Sequence, residues 1–451
     1  MWGVFSRPKS RNLLGVFAFM GVVVSAFLIP ASFKAGPLFF SGMVINDPFS
    51  VFLRVVILLV AGLIVLISIG YQALDEEDIA EYYFFLLSVT VAMMIAVASN
   101  NLMMIYIALE GISLISYIMA GYLKRDIFSS EAGMKYFLFG ALSTGVTLYG
   151  ISLIYGLFGA LDLNLIFSSF STGVVHQPLL LLALVFVLVG FGFKCSLVPF
   201  HMWTPDVYEG APTPVAALLS VGPKAVGFAF LLRVFVENFR PAFPHWGFLA
   251  VLISVLTMTA GNIMALGQNN MKRLLAYSTI AQAGYIFLGL ALATSAGIKA
   301  SLFYIFVYTL MNLGAFGAVI VISNNIKSES LQDYAGLYKK DPLTAVILAV
   351  SLLSLAGIPP LAGFLAKFFI LAAAVEAKSI ALAVIVVVNS VIALYYYIKV
   401  VKFMFLDEPQ KTSLPSRSSA LHLALVITLV GNIVLGIWPH PVINWIAGLL
   451  H

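Results

Sequence analysis

Thirteen runs of about twenty mostly apolar residues follow one another along this chain. They lie near 12–30, 48–70, 82–99, 101–122, 132–157, 178–208, 211–236, 246–267, 273–293, 299–322, 343–376, 380–404 and 419–440. A helix rises about 1.5 Å per residue, so about twenty residues cross the roughly 30 Å hydrocarbon core of a bilayer. Lipid offers backbone groups no hydrogen-bond partner, so such runs must be helices packed in a bundle. Composition agrees: of 451 residues 62% are hydrophobic and 10% charged, with mean hydropathy +1.05, against about 25% charged in soluble domains. The expected fold is an all-α polytopic membrane protein of about 13 transmembrane helices, with the runs 178–208 and 343–376 interrupted.

The charge pattern gives the orientation. Arg7, Lys9 and Arg11 precede the first run, and Lys124 with Arg125 follow the fourth. Lys272 with Arg273 follow the eighth, and Lys327, Lys339 and Lys340 the tenth. Lys399, Lys402, Lys411 and Arg417 follow the twelfth. Strict alternation puts them all on one side, the cytoplasm. The other side keeps Lys34, Arg233, Arg240, Lys299 and Lys378. The net charge of +5 therefore reflects loops facing the cytoplasm, not a nucleic-acid patch. The basic start and apolar run at the N-terminus have the look of a signal peptide. More membrane follows, however, and a retained first span is the expectation.

Several chemistries are excluded. A single cysteine, Cys195, makes no intrachain disulfide, Cys-type zinc site or iron–sulfur ligand set. No G-x-G-x-x-G or Walker loop is present, and the six histidines show no metal-ligand spacing. The longest polar stretch, about 323–342, is too short for a catalytic domain.

What remains is a set of charges at membrane depth. Arg54, Lys135, Lys194, Lys224 and Lys367 lie within spans; among acids Glu110 is deep, and Glu81 and Glu131 sit at span starts. A charge at mid-membrane costs about 2.5–3.5 kcal/mol. Glu110, Lys194, Lys224 and Lys367 facing lipid would together cost on the order of 10 kcal/mol. They must face one another, water or backbone. The plain alternative is structural ion pairing, but one acid cannot neutralise three lysines. Amines withdrawn from water hold their protons less tightly, and a row of them reads as a proton relay. Helix breakers stand beside each lysine: Gly190, Gly192 and Pro199 around Lys194, Gly222 and Pro223 before Lys224, and Gly357, Pro359, Pro360 and Gly363 before Lys367. Two interrupted segments in corresponding halves point to inverted repeats with a hydrated site between them.

Long ordered blocks then carry a resemblance: "ALEGISLISYIMAGY", "SSEAGMKYFLFGALSTG", "GFGFKCSLVPFHMWTPDVYEGAPTPVAALLSVGPKA", "NNMKRLLAYSTIAQAGY", "YTLMNLGAF" and "LQDYAGLYKKDPLTAVILAVSLLSLAGIPPLAGFLAKFF". The chain resembles the antiporter-like membrane subunits of respiratory complex I, most closely the subunit N (subunit 2) type. The resemblance implies two inverted five-helix repeats and four regions: N-terminal helices 1–80, a first repeat 81–237, a second 238–406 and a C-terminal helix 407–451. It implies a Glu110–Lys194 modulating pair, Lys224 as the central lysine and Lys367 near the outer exit. Glu81 and Lys135 match further ionisable positions, with interfacial anchoring as the alternative. Family members of this type commonly have one span more, so the chain is expected to start at the equivalent of the second. Sister subunits carry a histidine and a lysine where Tyr308 and Asn312 stand here; Tyr308 can join a water wire but, with an ordinary pKa near 10, carries protons poorly.

The function this implies is proton translocation coupled to electron transfer from NADH to quinone, in a bacterial inner (plasma) membrane with the N-terminus cytoplasmic. FMN, iron–sulfur clusters and quinone are expected in the assembled complex, with no cofactor or metal in this chain. Membrane-arm subunits of K and M type and lipid are the expected partners. The rival readings are a subunit of a multi-subunit sodium or potassium/proton antiporter, a ferredoxin-driven relative, and a structural spacer that moves no proton. His201 and Trp203 read as interfacial anchors with a gate as the alternative, the Tyr395–Tyr397 run as belt or packing, and Asp75–Asp78 as a solvated loop or a contact for a peripheral subunit.

Overall fold

A computed structural model of the chain describes residues 11–32, 38–74, 79–170, 176–326, 328–409 and 418–449. Arg7, Lys9, Lys34, the Asp75–Asp78 stretch, Lys327, Lys411 and Arg417 lie outside these. The order begins α1 (Arg11–Ser32), a small hairpin of β1 (Leu38–Phe39) and β2 (Val44–Ile45), α2 (Pro48–Ser68), α3 (Ile79–Val97), α4 (Leu102–Ala120), α5 (Ile127–Phe158) and the short α6 (Leu163–Ser169). Then come α7 (Gln177–Cys195), α8 (Trp203–Gly210) and α9 (Thr213–Phe230), whose last turns widen into a π-helix over Leu231–Asn238. The second half holds α10 (Phe243–Leu266), α11 (Met271–Ala291), α12 (Ser295–Ile326), α13 (Pro342–Ala356), α14 (Ala362–Glu376), α15 (Ile380–Leu406), α16 (Ser419–Ile437) and α17 (His440–Ala447). Twelve helices among the described residues are long and apolar enough to cross a membrane, and α13–α14 lies where the second interrupted run was expected.

Contacts between connections sort them into two ends, as strict alternation requires. At the basic end the Gln72 amide donates to Asn324, Ser418 donates to the Ile69 carbonyl, and Asn270 pairs with Ser330. At the opposite end Ile45 bonds Ala98, and Asn101 pairs with Asp162. The deepest helices are α9, α11 and α12, buried along nearly their whole length. Helices α1, α15 and α16 form the outside, with apolar side chains such as Phe27, Val391 and Ile437 exposed, as a lipid-facing surface demands.

The opposite end has its own tie. Asp47 caps α2 through a reciprocal pair with Ser50, which satisfies otherwise orphaned helix donors. It also accepts from the buried Arg233 guanidinium at 3.0 and 3.1 Å, joining α2 to the π-helical turns of α9. Burial opposes ionisation of Asp47, but the Arg233 charge and the hydrogen bonds from Arg233 and Ser50 outweigh it and hold the carboxyl below its ordinary value of 3.8. A depressed carboxylate stabilises the fold above its unfolded pKa and loses that contribution as pH falls through its folded one. Asp47→Asn keeps a cap oxygen but strips the charge. It is expected to lower stability by about 1–3 kcal/mol at neutral pH. Melts in detergent at falling pH should show the gap to the parent closing below the ordinary carboxylate range.

Arg54, one of the charges expected at depth, sits in the second turn of α2 and reaches back to Asn46 at 2.8 Å. It snorkels toward the end of the bundle and takes no part in its middle.

Candidate functional site

The two interruptions are built alike. Helix α7 ends on Ser196, in the left-handed region at φ 58°, and α13 ends on Gly357 at φ 91°. In each, the next amide returns to the carbonyl five residues earlier: Leu197 to Gly192 at 2.8 Å and Ile358 to Leu353 at 3.0 Å. This is the Schellman closure of a helix. A cis proline follows three residues after each left-handed residue, at Pro199 and Pro360.

Helix ends leave carbonyls without partners, and at membrane depth something must meet them. Here side chains do. The Trp203 indole donates to the Phe193 carbonyl at 3.1 Å and the Lys224 ammonium to the Cys195 carbonyl at 3.2 Å. In the second break Gln282 donates to Leu355 at 3.0 Å and the Lys367 ammonium to Ala356 at 2.9 Å. Cys195 and Ala356 are each the last helical residue before the left-handed one. The sequence reading assigned these freed groups to water or protein; protein meets these four. Lys194, Lys224 and Lys367 are 3%, 2% and 6% exposed, so the three amines expected at depth are all interior.

Lys194 has a different setting from its two partners. Its Nζ lies 5.6 Å from the Tyr136 ring centroid and 6.0 Å from those of Tyr117 and Phe193, within cation–π reach. Trp203 stacks on Tyr136 at 4.3 Å. The Nζ itself has no hydrogen-bond partner among the described residues. The expected Glu110–Lys194 ion pair is therefore not formed in this structure: neither residue is in an ion pair among the described residues. Glu110 is half-buried on α4, near enough to act on Lys194 through its field but not in contact. Three aromatic rings lie around the ammonium. Trp203 and His201 are buried within this region and are not interfacial anchors.

Between Lys224 and Lys367, with Tyr308 and Asn312 in place of a titratable pair, lies a stretch that a water wire was expected to bridge. The structure fills much of it with hydroxyls and amides. Asn312 donates to Ser220, one turn before Lys224, at 2.5 Å. Tyr308, one turn from Asn312, donates to Thr279 at 3.0 Å. Tyr304 donates to Gln282 at 2.5 Å, and Gln282 donates to Tyr397 at 3.2 Å. Gln282 also holds the Leu355 carbonyl, next to the Ala356 carbonyl that holds Lys367. Tyr285 completes the lane, its ring centroid 4.8 Å from the Lys367 Nζ. Ser278, Thr279, Gln282 and Tyr285 recur at three- and four-residue steps along α11. That polar stripe in an otherwise apolar helix was the available signal. Tyr396 and Tyr397 are buried in this interior, while Tyr395 is exposed.

The other two expected residues stand elsewhere. Glu81 is exposed in the first turn of α3. Lys135 pairs with Glu131 and with Asp206, each at 2.7 Å. Asp206 also accepts from Arg273 at 2.8 Å, and Arg273 reaches Glu209 at 2.7 Å. Lys272 pairs with Glu329 at 2.8 Å and donates to the Ala211 carbonyl at 2.9 Å. Asp206 and Glu209, three apart on α8, were not singled out in the sequence, though their spacing puts both on one helix face. A cleft of about 660 Å³ opens beside them at the basic end, lined by Tyr71, Glu209, Ala211, Lys272 and Glu329. A second, of about 260 Å³, opens sideways beside Lys367 between α14 and α15. No cluster of three or more His, Cys, Asp or Glu suited to a metal occurs among the described residues.

Comparison with known proteins places this arrangement. Residues 99–393 match the family model described as "NADH:quinone oxidoreductase/Mrp antiporter, TM". The chain is 42% identical over 445 residues to NADH-quinone oxidoreductase subunit N of Trichlorobacter lovleyi, covering 98% of this chain and 91% of that one. It is 43% identical over 453 residues to NAD(P)H-quinone oxidoreductase subunit 2 of a Nostoc species, covering 97% and 87%. Among solved structures, a chain of respiratory complex I from Thermus thermophilus superposes with TM-score 0.81 at 33% identity, covering 96% of this chain and 94% of that one. A chain of the Mrp complex from a Dietzia species superposes at 0.87 with 22% identity, covering 97% and 92%, a likeness of fold alone. The protein belongs to the NADH:quinone oxidoreductase/Mrp antiporter family of transmembrane subunits, and within it to the subunit N (subunit 2) type.

Proposed function

We propose that the chain carries protons across a bacterial plasma membrane as a membrane-arm subunit of an NADH:quinone oxidoreductase, its basic end cytoplasmic and its neighbours subunits of K and M type. The observation that carries this reading is the set of three buried lysines, two of them held at equivalent carbonyls of two helix breaks and joined by a lane of hydroxyls and amides. An ammonium is a donor with three protons, and hydroxyls both accept and donate, so the lane can hand a proton along. Protons enter from the basic-end cleft, load the Lys194–Lys224 region, traverse the lane and leave by way of Lys367 toward the opposite end. Glu110 sets the field at Lys194, and a shift of charge along the arm acts there. The redox chemistry, with its FMN, iron–sulfur clusters and quinone, belongs to other subunits.

The repeat reading is supported by where the breaks fall. Counting five spans from α3 and five from α10, the interrupted one is fourth in each set, and the two run in opposite directions. Tyr308 and Asn312, in place of a titratable pair, favour the oxidoreductase reading over a cation/proton antiporter. The test is the intact assembly in sealed vesicles with a pH-sensitive dye. Lys224→Met is expected to abolish donor-driven acidification through this chain while the complex still assembles. Acidification at the parent rate would overturn the relay, and a purified assembly without quinone-reducing subunits would favour the antiporter.

A further inference from the structure

Four ion pairs at the basic end form one chain that crosses the boundary between the two halves of the molecule. Glu131 and Lys135 come from α5, Asp206 and Glu209 from α8, and Arg273 from α11. The Asp206 carboxylate is its centre, with one oxygen on Lys135 at 2.7 Å and the other on Arg273 at 2.8 Å. Helix α8 is only eight residues long and is tethered to α7 through the break, so its position depends on what grips it.

What α8 carries makes that grip consequential. Trp203, three residues before Asp206, stacks on Tyr136, the residue next to Lys135. Tyr136 belongs to the enclosure of Lys194, Trp203 backs it and Phe193, and Trp203 also holds the Phe193 carbonyl at the break. Two carbonyls further on lies Cys195, the anchor of Lys224. The same pair of helices, α5 and α8, thus shares an ion pair at its edge and an aromatic wall in its interior.

We propose that Asp206 is a positioning residue for proton transfer: by bridging Lys135 and Arg273 it fixes α8, and through α8 the surroundings of Lys194 and the anchor of Lys224. This rests on the relay reading and adds to it the link between halves. Asp206 touches no transferred proton. Its loss loosens the enclosure, and electron transfer then proceeds with fewer protons moved per electron.

The experiment measures protons translocated per electron pair by the intact complex in sealed vesicles, at matched assembly. Asp206→Asn is expected to lower that ratio below the parent's. Asp206→Glu is expected to restore it. Arg273→Gln combined with Asp206→Asn should be no worse than the poorer single variant. An unchanged ratio in Asp206→Asn, or strictly additive losses, overturns the proposal. Should Asp206→Asn fail to assemble, Lys135→Gln and Arg273→Gln each remove one donor and keep the carboxylate. A fall in either supports the proposal, and parent ratios in both overturn it. Lys224→Met is measured alongside: parent-like pumping there sinks the relay itself, whereas its loss with an intact Asp206→Asn sinks only the bridge.

Discussion

Lys367→Ala in the assembled complex is expected to stop coupled proton transfer through this chain, with a fall of about two orders of magnitude or more if Lys367 acts as a positioned acid–base group. Lys367 stands where the polar lane meets the second break, and its ammonium is anchored on the Ala356 carbonyl at 2.9 Å. Removing it leaves that carbonyl without its donor and the lane without a terminal carrier. Lys367→Arg separates the two consequences. The guanidinium restores a cation and a donor but does not give up its proton. A carrier role therefore predicts that arginine fails as alanine does, while a purely structural role predicts rescue. Vesicle acidification and quinone reduction, measured together on all three proteins, decide the matter.

Gly357→Ala is expected to damage both fold and transfer. Gly357 ends α13 at φ 91°, where an L side chain costs about 1–2 kcal/mol. A Cβ there would also meet the Lys367 Cδ at 2.9 Å, so the lysine stem must shift. The equivalent position in the first break, Ser196, tolerates a side chain at φ 58°, and its hydroxyl accepts from Thr204 at 2.8 Å. Ser196→Gly relieves the left-handed backbone by about 1–2 kcal/mol but leaves the buried Thr204 hydroxyl without its acceptor, so the two effects are expected to offset and move a thermal melt little. Gly357→Ala should lower the melting temperature and the proton-to-electron ratio together. A Gly357→Ala protein with parent stability and parent ratio would show that the second break is not held as described.

Much of this architecture was legible because lipid imposes it. Apolar runs of a fixed length and loops sorted by charge placed the helices, and the glycines and prolines near 190–199 and 357–363 placed the breaks. The three lysines could be assigned to the interior because hydrocarbon makes any other place costly. Partners were harder to read. The resemblance implied a Glu110–Lys194 pair, and the ammonium sits among Tyr117, Tyr136 and Phe193. Aromatic residues in a membrane chain are so common that their spacing does not reveal an enclosure. The Asp206 bridge escaped for a different reason: Lys135 and Arg273 are 138 positions apart by number, and only the packing of α5 and α11 on α8 brings them to one carboxylate. Thr279, Gln282 and Tyr304 were hidden because neutral polar residues raise no alarm in a count of charges.

The way Lys224 and Lys367 are moored has a consequence for the energetics of moving charge. A peptide oxygen has no charge of its own to lose, and an amine keeps two N–H donors after releasing a proton. Such a mooring can hold the nitrogen in place in either state, whereas a carboxylate would clamp the cation and let go of the neutral form. Transfer at these two posts then needs no swing of the side chain, and the work of reorganisation falls on the neighbours that deliver and remove the proton.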